Sequence, residues 1–511
     1  MSTLQARLTG NGDASTAEAS GVVEPALPQA IGYVVVVVIG FIIAFIMMFV
    51  TYVLRKTAGE DNRKTEMFMT ANRSVRTGLT ASAVPCWASL QASCPEAHTL
   101  LEIVRVRYGT LATYYFHTFV ITIIICFFTI KTFTTPEITS IGHMWELIAA
   151  AGTEHPVEGN QGGSYLTMTS KGAILFGIIH ILANFGLVIM DTGFFVKAFS
   201  AAPQAVVPGY ITGGIAYFAI PWCFGTLMSF AALSLEGTAR FPTFPRRMSG
   251  TEISNGLVLP YAAIAIAGKG GAAAILLITF MAVTSTISAQ VISVSSIISF
   301  DIYRQYINKT ATDRDVIRWS HIGVVFFGLF SACFSTALHY AKVDLGWTLY
   351  MLGVLTCPGI FPTVFTILWK KQSRAAAIIS PLLGLVTGIA VWLGTAHAFA
   401  GEISVVSTGQ TLPCVYGTVA SALSPALYSV VISLVRPDNY NWADFRKERL
   451  ALDQAPAVDA VNAKGISDVE ELQQTDSYEA NKAKFKHWGK IAAAWSLATF
   501  LGHWVLWFGE G

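Results

Sequence analysis

The sequence predicts an all-α polytopic membrane protein, and three observations carry that prediction. Hydrophobic residues make up 53% of the 511 and charged residues 13%, with a mean hydropathy of +0.55; a soluble domain carries about 25% charge. Several apolar runs exceed about 18 residues, the length that crosses a hydrocarbon core of about 30 Å at 1.5 Å per residue. Lys and Arg collect in some of the intervals between the runs and are missing from others, the pattern that orients membrane spans. The net charge of +2 gives no electrostatic reason to bind nucleic acid. The seven Cys (86, 94, 126, 223, 333, 357, 414) are scattered without a CxxC pair, which argues against a disulfide framework or a zinc site.

The elements follow in chain order. Residues 1–30 are polar and lack the short apolar core of a cleavable signal. The run IGYVVVVVIGFIIAFIMMFVTYVL (31–54) is the first span, and further spans are predicted near 110–132, 172–194, 209–235, 271–299, 317–340, 345–369, 375–398, 412–436 and 488–509. The basic interval 55–76 is expected in the cytoplasm, which places the 1–30 tail outside. Counted from there, 133–170, which holds no Lys or Arg, falls outside, and the basic intervals 301–318 and 370–374 fall inside. One interval dissents: EGTARFPTFPRRMSG (236–250) counts as external yet carries three Arg. Residues 437–487 are polar and mixed in charge and are expected to form a cytoplasmic linker ahead of 488–511, the final span and C-terminus. Residues 77–109 begin like a span but meet Pro85 and Pro95, so they predict a compressed or re-entrant segment. Irregular backbone at that depth must be covered by protein or line a cavity.

The stretch MAVTSTISAQVISVSS (281–296) carries seven hydroxyls, at 284, 285, 286, 288, 293, 295 and 296, inside an apolar run. In a helix, Ala282, Ser285, Thr286, Ala289, Ser293 and Ser296 share a face. Two readings fit that stripe. Small residues and hydroxyls let helices pack closely. Adjacent hydroxyls with a carbonyl one turn earlier also supply hard oxygens for an alkali cation without burying a charge, as at mid-membrane transporter sites. Asp191 is either a functional intramembrane carboxylate or an interfacial acid near Lys197. Asn184 is a functional candidate because an unpaired amide in lipid is costly. Pro221 before Trp222 opens the helical ladder. Tyr350 is an interfacial anchor or a cavity wall, and His117 and His180 stand too isolated to assign.

Several segments resemble the fungal and plant urea active transporter branch of the sodium/solute symporter family. They are TANRSVRTGLTASAV (70–84), AHTLLEIVRVRYGT (97–110), NFGLVIMDTGFFVKAFSAAP (184–203) and FPTFPRRMSGTEISNGLVLP (241–260), extended by 268–308 and ILWKKQ (367–372). The resemblance implies a LeuT-type inverted-repeat bundle that couples solute uptake to a Na⁺ or H⁺ gradient. It implies a cation site at Ala282, Ser285 and Thr286, and a solute path near Asn184, Asp191 and Tyr217, with Trp222 and Tyr350 more distantly. Urea offers two NH₂ donors and one carbonyl acceptor, and a site for it needs amide, carboxylate and hydroxyl groups beside aromatic walls.

The chain also departs from the family pattern. Helices that the family carries between the regions matching 70–84 and 110–132 are compressed here, so the bundle reads as truncated, with about ten spans. PCWASLQAS (85–93) looks like the remnant of the discontinuous first core helix, with Trp87 as its aromatic solute residue. The resulting expectation is cation-coupled uptake of urea, or of another small polar solute such as a polyamine or amino acid, across the plasma membrane. The partners are then that solute, the coupling cation and the bilayer, with no cofactor and no enzyme activity. The alternative is a transport-dead paralogue or truncated form with a sensory, regulatory or no activity.

Overall fold

The computed structural model describes residues 26–42, 44–45, 48–49, 126–200, 206–442, 486–499 and 501–502. The described residues are helical, without a strand, and six helices among them are long and apolar enough to cross a membrane. The first described helix is α1 (Gln29–Ile42). α2 (Ile141–Glu154) starts where the Ser140 hydroxyl accepts from the His143 N–H, a side-chain cap for one of the orphan donors of a helix start. α3 (Lys171–Met190) is capped the same way by Ser170 and ends at Asp191, whose extended backbone separates it from α4 (Thr192–Ser200).

α5 (Val206–Ala219) runs through a π-helical stretch, Ile220–Gly225, into α6 (Thr226–Leu235). Pro221 sits in that wide turn, where a residue without an N–H costs no ladder bond. After the short α7 (Gly250–Ser254), α8 (Val258–Ser296) is broken at Gly268, which has φ 58° and ψ −140°. Only glycine adopts that conformation readily. Residues 258–267 therefore belong with the preceding loop, and the membrane-crossing part begins after the break, continuing as the π-helical Ile297–Ile307.

α9 (Asp313–Tyr340) begins with a capping box between Thr312 and Asp315. α10 (Leu345–Thr356) and α11 (Ile360–Leu368) are joined by the one-turn Cys357–Gly359, where Pro358 interrupts the ladder. α12 (Arg374–Ala400), the short α13 (Val405–Thr408) and α14 (Thr411–Val435) close the described core.

Small residues set the packing. Built side chains on Gly384, Gly388 and Gly417 would meet Pro425, Ser421 and Trp392, so α12 and α14 approach backbone to backbone. α3 docks on the α10–α11 break in the same way: a Cβ on Gly186 would lie 3.0 Å from Thr356 and Cys357 atoms. The Thr356 hydroxyl and the Cys357 thiol donate to the Ala183 and Leu182 carbonyls, both at 3.4 Å. Without water to drive helices together, such close approach and interhelical bonding hold a bundle in lipid. The outward faces are apolar, as at Val325, Phe326 and Leu329 of α9, each 60% or more exposed.

The loops 133–170 and 236–267 form a cap on one end of the bundle. Ile138, Met144 and Ile148 join Met228, Leu235, Phe241 and Ala262 in one buried cluster. The three Arg that set 236–250 apart in the sequence are each ion-paired there: Arg240 with Glu137 (2.8 Å), Arg246 with Glu252 (2.7 Å) and Arg247 with Glu236 (2.7 Å). Two of the bonds tie the two loops together, since Arg240 reaches Glu137 and the Arg247 guanidinium reaches the Tyr165 hydroxyl at 3.4 Å.

Candidate solute and cation site

The α3–α4 break and one polar face of α8 meet at Asp191. This residue ends α3 and starts α4: its Oδ1 accepts from the Gly193 N–H at 2.7 Å, the arrangement of an N-cap. Its Oδ2 accepts from Gln290 Nε2 of α8, also at 2.7 Å. Gly193 makes the junction possible, because a Cβ there would lie 2.9 Å from Asp191 Oδ1 and from Ser293 Oγ of α8. Asp191 thus links the α3–α4 break to the hydroxyl-bearing helix.

At 100° per residue, Ala282, Thr286, Gln290 and Ser293 fall within an arc of about 80° on α8. The Thr286 hydroxyl donates to the Ala282 carbonyl at 3.0 Å, and both residues are exposed. The Thr286 oxygen keeps its lone pairs after donating, whereas the Ala282 carbonyl already accepts both that hydroxyl and the helical N–H of Thr286. The free hydroxyl oxygen stands on the face that ends at the Asp191–Gln290 bridge. The rest of the stripe packs. Ser293, Ser295 and Ser299 are 3% exposed or less, and each hydroxyl returns to a carbonyl of its own helix at 2.8–2.9 Å. Ser295 lies against Gly323 of α9, where a Cβ would come within 3.1 Å of its Cα. The packing reading of the hydroxyls therefore has a place at the α9 contact, while Thr286 stands exposed.

A second cluster lies along α3. Phe176, His180 and Asn184 follow at intervals of four, so they share a face, and Asp191 falls on the same side. The His180 ring stacks on Phe176 with centroids 3.9 Å apart and meets the edge of Tyr350 of α10 at 6.2 Å. Asn184 Nδ2 donates to the His180 carbonyl at 2.8 Å, which leaves its amide oxygen and one N–H to offer. The Tyr350 hydroxyl lies 3.4 Å from Thr411 Oγ1 of α14. Asn184 and Tyr350 are therefore gathered around a histidine that its sequence position leaves isolated. Trp222 is placed elsewhere: 57% exposed, it stacks on Phe218 of its own helix at 5.4 Å. Trp87 lies outside the described residues, as do the side chains of Ser285 and Tyr217, whose backbones belong to α8 and α5.

Spacing along the chain points to neither Gln290 nor His180. Gln290 stands one turn after Thr286 within the hydroxyl stretch, but its partner is 99 residues away. His180 stands one turn before Asn184, and only the fold brings it to Tyr350.

Among the described residues, six helices of membrane length packed through close interhelical contacts define a multi-pass membrane protein. Residues 108–384 match the sodium:solute symporter family, and the chain belongs to that family. It is 36% identical to a probable urea active transporter 1 of Schizosaccharomyces pombe, over 82% of this chain and 78% of the relative. It is 34% identical to the urea active transporter of Saccharomyces cerevisiae, over 83% and 71%. It is 29% identical to a urea-proton symporter of Oryza sativa subsp. japonica, over 83% and 73%. The S. pombe match runs over 522 positions while using 82% of 511 residues, or about 419. About 103 positions (522 less 419) are therefore filled in the relative alone.

Proposed function

We propose that the chain carries out cation-coupled uptake of urea, or of a closely related small polar solute, across the plasma membrane. The observation that supports this most directly is the junction of the α3–α4 break with α8. It brings a carboxylate on one element against the Gln290 amide of the other, one turn from the Thr286 hydroxyl. Ser285, Thr286 and the Ala282 carbonyl would hold the coupling ion. Asn184, Asp191 and Tyr350 would line the solute route, with Tyr217, Trp222 and Trp87 further along it. The urea transporters among its relatives supply the solute class, and the donor and acceptor types at Asn184, Asp191 and Tyr350 suit urea's two NH₂ groups and carbonyl. In this reading the fold is a LeuT-type bundle of about ten spans with the 1–30 tail outside, a transmembrane core over 31–436, a cytoplasmic linker over 437–487 and a last span over 488–511. Alternating access then rocks one helix group against another around a fixed site. Hydroxyl and carbonyl oxygens favour Na⁺ by their chemistry, and Asp191 offers the titratable group that H⁺ coupling needs. The reading involves no covalent chemistry.

The second reading, a chain that no longer transports, draws on the roughly 103 positions that only the S. pombe relative fills. Uptake of radiolabelled urea at micromolar concentration by cells lacking their own urea transporters separates the two. Surface expression is verified, and Na⁺ and pH are varied independently. Saturable uptake that disappears in Ser285→Ala/Thr286→Ala supports the transport reading. A surface-expressed chain that moves no urea favours the second.

A further inference from the structure

The turn between α11 and α12 holds a cavity that the transport reading does not use. Residues 436–442 fold back across this turn: the Asp438 N–H donates to the Lys371 carbonyl at 3.2 Å and the Tyr440 N–H to the Lys370 carbonyl at 3.0 Å. Beside them lies a half-open cavity of about 230 Å³ next to Trp369, Tyr440 and Trp442, with Lys370, Arg374 and Asp438 also on its lining. Its base is built rather than incidental. The buried Gln372 amide donates to the Pro362 carbonyl at 3.1 Å and to the Ser429 hydroxyl at 3.2 Å, while its Oε1 accepts from Thr366 at 2.9 Å. The Ser373 N–H donates to the Ser433 hydroxyl at 3.1 Å.

The surroundings say what enters. Among the described residues no carboxylate is ion-paired with Lys370 or Arg374. Ile367 and Leu368 end α11 at 60% and 76% exposure, and Leu434 and Val435 end α14 at 68% and 82%. Both helices terminate on this side, so the polar cavity begins where two lipid-facing apolar surfaces stop. Trp and Tyr at such a boundary mark the headgroup level. Basic pockets between spans at that level take anionic lipid headgroups.

We propose that this cavity receives the phosphate-bearing headgroup of an anionic phospholipid. Lys370 and Arg374 hold the charge, the rings of Trp369, Tyr440 and Trp442 flank the glycerol region, and the acyl chains run over the ends of α11 and α14. Asp438 opposes the anion and tunes its affinity downward. Occupancy ties residues 436–442 to the α11–α12 turn.

The test titrates short-chain phosphatidylserine, phosphatidylcholine and inorganic phosphate separately into the detergent-solubilised full-length chain, with bound ligand read by native mass spectrometry. Phosphatidylserine is expected to bind saturably and in preference to phosphatidylcholine. Lys370→Gln/Arg374→Gln should weaken it at least about tenfold, and Asp438→Asn should strengthen it. Lys371→Gln, beside the cavity but not on its lining, should leave it within about twofold. Each single variant, Lys370→Gln and Arg374→Gln, replaces the double one where that fails to fold. Equal binding of both lipids, equal losses in Lys371→Gln and the double variant, or full competition by equimolar inorganic phosphate would each overturn the proposal.

Discussion

Asp191 accepts two hydrogen bonds that cross a boundary between elements, and its worth depends on both. Deleting Gln290's amide leaves Asp191 Oδ2 without its partner in a poorly hydrated junction, and an unsatisfied polar group there costs about 1–3 kcal/mol, more when charged. Gln290→Leu should therefore lower the melting temperature of the purified protein. The loss should shrink sharply in an Asp191→Ala background, because no stranded carboxylate remains. Equal losses in both backgrounds would show that the 2.7 Å bond contributes nothing of its own. The pair also marks the limit of reading residues from the chain. Thr286 and Ala282 are legible as neighbours because four residues make one helical turn. Asp191 and Gln290 come together only through the tertiary fold, made possible by the missing side chain of Gly193, a steric fact that no local spacing encodes.

At the scale of elements, the cap explains why a loop with three Arg can sit on the same end as one with none. Paired guanidinium groups are neutralised locally, so 236–250 presents little free positive charge. The Arg246 fork grips both Glu252 oxygens at 2.7 and 2.8 Å. Chiefly through that bond, with further bonds from Ser249, the Glu252 carboxyl is held down from 4.5 to about 2. A carboxyl depressed in the folded state stabilises it fully above the ordinary value and loses that contribution as pH falls towards the folded one. Glu252→Gln should accordingly melt at a lower temperature than the native chain at pH 6–7, by an amount that is constant down to about pH 4.5. The gap should close between pH 4.5 and about 2; a gap that widens with acid would contradict the pairing. The spans themselves are legible because each is one continuous apolar run. The start of the α8 crossing is legible too, since the span predicted from 271 begins just past Lys269; the conformation of Gly268, which lets the helix turn away there, is what the sequence leaves out.

At the scale of the molecule, the described spans alternate in direction, so one binary choice orients them all. α3 leaves the cap, α5–α6 returns to it at Leu235, α8 leaves, α9 returns, α10–α11 leaves, α12 returns and α14 leaves. The end away from the cap then carries Arg304, Lys309, Arg314, Arg318, Lys370, Lys371, Arg374 and Arg436, while the three Arg of the cap loop are ion-paired. Lys and Arg near span ends are retained in the cytoplasm, which predicts the cap outside and the α11–α12 turn inside. The alternation holds within 171–435 by itself. Expressed in intact cells, Glu158→Cys in the cap should react with a membrane-impermeant maleimide. Lys371→Cys should react only after permeabilisation, with the native chain as the blank for its own cysteines. The reverse labelling would invert every span at once. It would also move the cavity beside Lys370 and Arg374 to the outer leaflet, away from the anionic lipids of the cytoplasmic one.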